Sequence, residues 1–408
     1  MPPGIYGSQK RLRRFMTSSP KSALEGIRQS ISSIPPDNIA SMVKGAFDAP
    51  GDKIALWYGE GDIATPAFVG EAAEEAIRAG QTFYTDQNGT PELRAALAQY
   101  HSKLLGKQIG ADQITITSGG MPAIMLAVQI LVGEGDNVVV IDPVWPNLGN
   151  AVRVVGAVVR SVKMDLGNGG WSIDTDRVAA ACDARTRLIF YASPGNPTGA
   201  IIPLATLSKL LELARGRGVW IIADEVYVRM AYGQLAAPSI LELTEPEDRV
   251  IAVNSFSKSW AMTGWRLGWA VHPPSLSATL AMMTKHTSNG TATFLQHAGV
   301  SAIQKGEQFV GWMRDYCAAG VKLVCSALES MSRVRIGARP NASMYVLFEV
   351  DGMPDSRSAF VEIFERTGVG LAPGAFFGPG SESFFRICAC RDTAVLQSAM
   401  DRLRPMLS

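Results

Sequence analysis

Arg249-Val250-Ile251-Ala252-Val253-Asn254-Ser255-Phe256-Ser257-Lys258 runs an apolar, β-rich segment directly into small hydroxyl residues and a lysine. The first six residues read as a buried strand, and in an open α/β sheet reactive groups sit just beyond the carboxyl end of such a strand. The chain continues Ser259-Trp260-Ala261-Met262-Thr263-Gly264-Trp265-Arg266-Leu267-Gly268, so a glycine and an arginine follow the lysine at fixed distances. A partly desolvated lysine forms Schiff bases with carbonyl groups, while hydroxyls and a guanidinium fork suit the oxygens of a phosphate monoester. Pyridoxal 5′-phosphate carries both groups. Taken alone, a Ser-x-Ser-Lys string is equally compatible with a surface loop.

Outward from this stretch, short β-rich runs recur at 114–117, 137–141, 157–162, 188–192, 219–223, 250–254 and 267–271, and helical patterns separate most of them. That alternation predicts an α/β fold, a mostly parallel seven-stranded sheet sandwiched by helices and joined by right-handed crossovers. Helical patterns also occupy 70–106, divided by Tyr84-Thr85-Asp86-Gln87-Asn88-Gly89-Thr90-Pro91, with Pro91 in the first turn of the second helix. After Gln296 the pattern changes to a long helical stretch through about 330, a strand at 344–350, a helix near 356–367, a strand at 384–390 and a final amphipathic helix. The expected division is a disordered tail over 1–20, a large cofactor-binding domain over 63–295, and a smaller α+β domain built from 21–62 and 296–408. Within 21–62, Pro35-Pro36-Asp37-Asn38 followed by Ile39, Met42, Val43 and Phe47 predicts a capped helix, and Gly59-Glu60-Gly61-Asp62 a loop.

The 408 residues are 47% hydrophobic and 18% charged, with a net charge of +1, which is ordinary for a globular protein and offers no basic surface for nucleic acid. No run approaches the roughly 18 apolar residues of a membrane span. The five cysteines, Cys182, Cys317, Cys325, Cys388 and Cys390, form no paired framework, which fits a reducing cytoplasm. Four histidines without ligand-like spacing give no reason to expect a catalytic metal. Lys10, Arg11, Arg13 and Arg14 precede no apolar segment, so a secretory signal is not expected; either Met1 or Met16 is compatible with the start.

Several strand ends carry polar residues that are costly to bury without a partner. Asp224 follows the buried run Val219-Trp220-Ile221-Ile222-Ala223 and calls for a cation, such as a protonated pyridine nitrogen, unless it caps a helix at Glu225-Val226-Tyr227. Tyr227 suits a donor to a phenolic oxygen, or a core tyrosine. Asn196 lies in the turn-rich Ser193-Pro194-Gly195-Asn196-Pro197-Thr198-Gly199, as a ligand or as a turn residue. Ser118-Gly119-Gly120-Met121-Pro122 joins a strand to a helix, where backbone N–H groups can meet a phosphate. Trp145 follows another strand and can stack on a planar cofactor or fill the core. Arg386, inside the apolar Phe384-Phe385-Arg386-Ile387-Cys388, faces either a substrate carboxylate or an internal salt bridge.

Together these motifs resemble the class I/II aminotransferases of the aspartate aminotransferase fold family, pyridoxal-phosphate enzymes of fold type I, over about residues 30–405. The residues that carry the resemblance are Gly59-Glu60, Tyr84 with Gly89-Thr90-Pro91-Glu92-Leu93-Arg94, Asn196-Pro197-Thr198-Gly199, Ala223-Asp224-Glu225-Val226-Tyr227, Ser257-Lys258 with Gly264 and Arg266, and Phe385-Arg386. The resemblance implies Lys258 as Schiff-base lysine and general base, Asp224 on the pyridine nitrogen, and Asn196 with Tyr227 on the phenolic oxygen. It implies Trp145 as the stacking ring, and Gly119, Gly120, Met121, Ser255, Ser257 and Arg266 around the cofactor and its phosphate. Tyr84 would reach that phosphate from a second subunit, hence a homodimer with shared sites. Arg386, the Gly59 backbone and Asn196 would hold the α-carboxylate of an amino acid whose amino group passes to a keto acid.

Two departures stand out. Gly61 replaces the proline of a common Gly-Glu-Pro-Asp, and Met121 stands where aspartate-using relatives place a lysine that reads the distal carboxylate. The donor is therefore open between aspartate and an apolar or aromatic amino acid, with Met121, Trp57 and Tyr58 favouring the latter. A C–S β-lyase using the same residues is the competing enzyme class. A non-enzymatic ligand-sensing module would lack Lys258, Asp224 or Arg386, and all three are present.

Overall fold

The computed structural model describes residues 26–32, 34, 42, 52–167 and 169–408; the tail expected over 1–20 and most of the helix expected after Pro35-Pro36 lie outside them. All seven expected runs form strands of one sheet: β1 (Ile114–Thr117), β2 (Asn137–Asp142), β3 (Val158–Lys163), β4 (Thr186–Ala192), β5 (Trp220–Asp224), β6 (Val250–Ser255) and β7 (Gly268–Val271). Their spatial order is β1-β7-β6-β5-β4-β2-β3. Strands β2 to β6 pair in parallel, while β7 runs antiparallel to both its neighbours. Strands β2 and β6 are buried along their whole length and are largely apolar, as a sheet covered on both faces requires. Ile124, Val128, Val138, Phe190 and Ile251 fill one face; Val139, Ile189, Leu207, Leu211 and Ile221 fill the other.

A second, four-stranded sheet holds β8 (Val334–Arg335), β9 (Tyr345–Val350), β10 (Ala372–Pro373) and β11 (Phe384–Cys388) in the order β8-β9-β11-β10, with Leu347 opposite Arg386. Its core joins Phe348, Phe385 and Ile387 to Val324 and Leu328 of helix Glu307–Glu329 and to Leu396 and Leu403 of helix Thr393–Leu407. The segment preceding Gly59 is stitched to this sheet: Ile54 and Ala55 pair in parallel with Val369 and Gly370, and Cys388 N donates to the Leu56 carbonyl at 2.8 Å. The long helical stretch expected after Gln296 is two helices, Thr293–Lys305 and Glu307–Glu329. Thr90 caps helix Pro91–Leu105 with Pro91 in its first turn, as the sequence predicts. Among the described residues no helix is long and apolar enough to cross a membrane.

The tightest backbone approach in the large sheet is at Gly268, the first residue of β7, which pairs with Thr117 on one side and Ser255 on the other. A Cβ there would stand 2.7 Å from the Gly119 carbonyl carbon and 2.8 Å from both Asn254 O and Gly120 N. Backbone cannot swing aside as a side chain can, so Gly268→Ala is expected to cost about 1–3 kcal/mol. A thermal melt should show a fall of several degrees; an unchanged melting temperature would mean the strands tolerate the spread.

Candidate active site

Strands β1, β2, β4, β5 and β6 end at the same edge of the sheet, and because β7 is antiparallel its beginning lies there too. Most of the expected site residues therefore lie where the chain leaves or enters the sheet at one edge: Gly119-Gly120 after β1, Trp145 after β2, Asn196 after β4, Asp224 ending β5, Ser255 to Lys258 after β6, and Arg266 just before β7. These loops and the Gly59 segment enclose a cavity of about 440 Å³, within the ordinary range for a small-molecule site.

Of the expected residues, Gly59, Gly120, Met121, Trp145, Asn196, Asp224, Tyr227, Ser255, Ser257, Lys258 and Arg266 line it. Gly119 stands behind Arg266, with φ +112°, and a Cβ on it would lie 2.7 Å from Arg266 Nη2. Ser255 Oγ donates to Ser257 Oγ at 2.8 Å, and Arg266 Nη1 is held by the Thr263 carbonyl at 2.7 Å. Hydroxyls, a guanidinium and glycine backbone thus share one corner, a cradle that larger side chains would fill and that suits a phosphate dianion.

Asp224 does not cap a helix; Val226 and Tyr227 form a turn, and a single 3-10 turn begins at Val228. Its Oδ1 accepts from Val226 N at 3.2 Å. Burial raises its pKa from an ordinary 3.8 to about 6, only partly offset by that hydrogen bond and by the charge of Lys258. A carboxylate this poorly compensated fits a cationic ring nitrogen. The same burial lowers the pKa of Lys258, with the Arg386 and Arg266 charges pushing the same way and Cys388 and Glu60 opposing; its Nζ donates to the Gly59 carbonyl. A desolvated amine of depressed basicity is suited both to attack a carbonyl and to move a proton. The donor set fits pyridoxal 5′-phosphate at both of its charged ends.

Arg386 lies one layer back, fully buried, with Nη1 donating to Asn196 Oδ1 at 2.9 Å and Nη2 to the Trp57 carbonyl. Its guanidinium carbon sits 4.4 Å from the Tyr345 ring centre, 4.9 Å from Phe377 and 5.9 Å from Trp145. Among the described residues it forms no ion pair, so none of them supplies the internal salt bridge, and its Nε has no hydrogen-bond partner there. Trp57, expected near the substrate, instead turns its indole into the core against Phe360 and Phe364; Tyr58 does line the cavity. Tyr84 is 88% exposed and lies outside the cavity of its own chain. Sequence reasoning missed Ile124, Thr263 and Tyr345 as lining residues, and above all the 2.6 Å contact between the Tyr227 and Tyr345 hydroxyls; a tyrosine inside an apolar strand gives no sign of what it meets across the fold.

Residues 52–403 match the family model described as aminotransferase class I and II. The chain is 32% identical over 356 residues to an arginine–pyruvate transaminase of Pseudomonas aeruginosa, covering 86% of this chain and 90% of that protein. It is 30% identical over 359 residues to an aspartate aminotransferase of Pyrococcus horikoshii, covering 87% and 91%. A solved single mutant of the Thermus thermophilus aspartate aminotransferase superposes with a TM-score of 0.88 at 29% identity, covering 94% of this chain and 100% of that one.

The sign of the Asp224 shift sets a test on cofactor-free protein. Its folded pKa is raised, so below about pH 4 the carboxyl is protonated in both states and costs nothing, and the penalty grows between pH 4 and 6. Asp224→Asn is expected to stabilise the cofactor-free protein by about 1–3 kcal/mol at pH 7–8, a gain that vanishes below about pH 4. Urea unfolding of both proteins across that range measures it; a gain independent of pH would place its cause elsewhere.

Proposed function

The chain belongs to the class I and II aminotransferases, and from that premise we propose which residues of this pyridoxal-phosphate enzyme do the work and which amino acids it takes. When bound, pyridoxal 5′-phosphate supplies an aldehyde that exchanges amino groups and a ring that draws electrons from the substrate Cα. Lys258 holds the aldehyde end, Asp224 keeps the ring nitrogen protonated, and Asn196 and Tyr227 donate to the phenolic oxygen. Trp145 and Met121 pack against the ring, while Ser255, Ser257, Arg266 and the Gly119-Gly120 backbone hold the phosphate.

Freed from the aldehyde, the Lys258 amine, which its surroundings keep weakly basic, would take the proton from the substrate Cα and return it to the carbon of the cofactor's aldehyde. Arg386, with Asn196 and the Gly59 backbone, orients the α-carboxylate; among the described residues its Nε has no partner and its charge no counter-ion, which supports that role. Tyr84, almost fully exposed beside an equally exposed Phe83, supports a homodimer in which it completes the partner's phosphate site. We read the enzyme as cytoplasmic, and the segments 63–295 and 21–62 with 296–408 as two domains that meet at the cavity.

The wall past the cofactor corner is Tyr58, Met121 and Ile124, and the cations lining the cavity, Lys258 and Arg266, are both engaged by the cofactor. Met121 is the observation that carries the substrate class: the donor is an apolar or aromatic amino acid in preference to aspartate. Mixing the holoenzyme in single turnover with phenylalanine, alanine, arginine, aspartate and cystathionine, and identifying the keto acids, tests this. The matching keto acid should form fastest from the apolar and aromatic donors; pyruvate and ammonia from cystathionine, with no amino transfer to the cofactor, would make the enzyme a lyase.

Lys258→Ala should abolish turnover with every donor while the protein stays folded; transamination at the wild-type rate would remove Lys258 from the chemistry. Met121→Lys adds a charge-assisted partner of about 1.5–3 kcal/mol for a distal carboxylate and should raise kcat/KM for aspartate roughly 10- to 100-fold. No gain would place the donor's side chain elsewhere.

A further inference from the structure

Asp224 and Glu225 are neighbours in the chain but open onto different cavities. Asp224 lines that of the cofactor; Glu225 lines a second one of about 300 Å³, and the two have no lining residue in common. The second cavity lies between the end of helix Pro91–Leu105 and the loop 228–242. Leu104, Leu105, Val228 and Pro238 give it apolar walls, with Leu235 exposed beside them. Its polar groups are His101, Glu225, Gln234, Ser239 and Glu242, and no lysine or arginine lines it.

Glu225 is buried, and its donors among the described residues are Ser239 Oγ, 2.9 and 2.8 Å from the two carboxyl oxygens, and Ile240 N at 3.1 Å. A hydroxyl has one hydrogen, so the two oxygens share that of Ser239. Burial raises the Glu225 pKa to about 7, and the charges of Glu242 and Asp224 push the same way. Tyr191, whose buried hydroxyl has no hydrogen-bond partner among the described residues, also feels the Glu225 charge. Arg229 and Arg314 bond the Leu235 and Gln234 carbonyls of the loop from outside the cavity, and both already face carboxylates, Glu307 and Asp315. Two carboxyl groups therefore share this cavity with no cation to balance them.

His101 supplies an independent sign of a ligand. Burial lowers its pKa to about 4, so its ring is uncharged at neutral pH. The indole N–H of Trp269 can only donate, and it does so to His101 Nε2 at 2.8 Å. The imidazole hydrogen must then sit on Nδ1, which has no acceptor among the described residues, on a buried ring that lines the cavity. A donor held this way calls for an acceptor that the cavity's contents would bring.

We propose that this cavity is a second binding site, for a small organic cation that also carries an uncharged acceptor oxygen. The cationic head meets Glu225, with the exposed Glu242 at the rim adding to the attraction. The oxygen accepts from His101 Nδ1–H, and the apolar body lies against Leu104, Leu105 and Val228. A carboxylate or phosphate ligand is disfavoured by the same two glutamates, which separates this site from the cofactor cavity with its Arg266 and Arg386. None of the residues assigned to the cofactor takes part.

The test is calorimetric titration of the holoenzyme with 3-quinuclidinol, a bicyclic tertiary amine that stays protonated near neutral pH and cannot form a Schiff base with the cofactor. Two relatives dissect it: quinuclidine, which lacks the hydroxyl, and the all-carbon alcohol of the same shape, which lacks the charge. At about pH 8, 3-quinuclidinol should bind about 3- to 10-fold more tightly than quinuclidine and about 10- to 100-fold more tightly than the alcohol. Its affinity should fall about tenfold by pH 6 as Glu225 takes up its proton. Glu225→Gln, which keeps an oxygen for Ser239 and Ile240, should bind about 10- to 100-fold more weakly and without that pH dependence. His101→Phe should erase the advantage of the hydroxyl and leave quinuclidine unaffected. Should Glu225→Gln fail to fold, the three ligands and the pH series on the wild-type protein decide alone. No heat at millimolar 3-quinuclidinol, equal affinity for the uncharged alcohol, unchanged affinity in Glu225→Gln, or binding seen only with a change in the cofactor's visible absorption would each overturn the site.

Discussion

Arg386 carries a permanent charge at zero exposure with no carboxylate beside it among the described residues, and much of the architecture around the cavity follows from making that tolerable. Desolvating a guanidinium costs several kcal/mol unless hydrogen bonds and local dipoles take the place of water. The Asn196 side chain and the Trp57 carbonyl supply two acceptors, and the faces of Tyr345, Phe377 and Trp145 supply ring electrons. Nε is left over. The compensation is incomplete, so an anion that reaches this charge gains more than it would from an exposed arginine. The Trp57 carbonyl belongs to the segment stitched to the smaller sheet and Asn196 to a loop of the larger one, so the same charge also pins the two sheets at the cavity.

The reversed strand β7 contributes in another way. In a purely parallel sheet, Arg266 before the strand would emerge at the edge opposite Lys258; reversal brings both ends of one short connection to a single edge. The close approach of Gly268 to Gly119, Gly120 and Asn254 then sets the phosphate corner with backbone rather than flexible side chains. A phosphate anchored there and a carboxylate at the end of β5 span the two charged ends of one cofactor, and Lys258 lies between them on the next strand's loop.

What the sequence revealed divides along the range of the interactions involved. The seven strands were legible because burial on both faces writes continuous apolar runs, and Lys258, Asp224 and Asn196 because a polar residue ending such a run has few places to go. Arg386 was legible as an anomaly, but which of its two explanations held depended on whether a carboxylate from elsewhere in the chain lay beside it. Trp57 shows the opposite failure: nearness in sequence to Gly59 suggested a substrate contact, yet its indole packs against Phe360 and Phe364. The pairing of Tyr227 with Tyr345 joins residues 118 positions apart and leaves no local trace.

The departure at Gly61 has a partner on the far side of the fold. A Cβ at Gly61 would stand 2.6 Å from Cys390 Sγ and 3.4 Å from its carbonyl oxygen. A proline, with its ring bound to that same carbon, would need Cys390 and its strand end to withdraw. Cys390 is fully buried against Met313, its sulfur 3.9 Å from the methionine sulfur. Met313, Met344 and Cys390 also wall a small cavity beneath Lys258. The glycine and the cysteine are therefore one packing solution: Gly61 gives up the stiffness of a proline, and Cys390 replaces it by filling the space from behind, so that the neighbouring Gly59 carbonyl still meets the Lys258 amine.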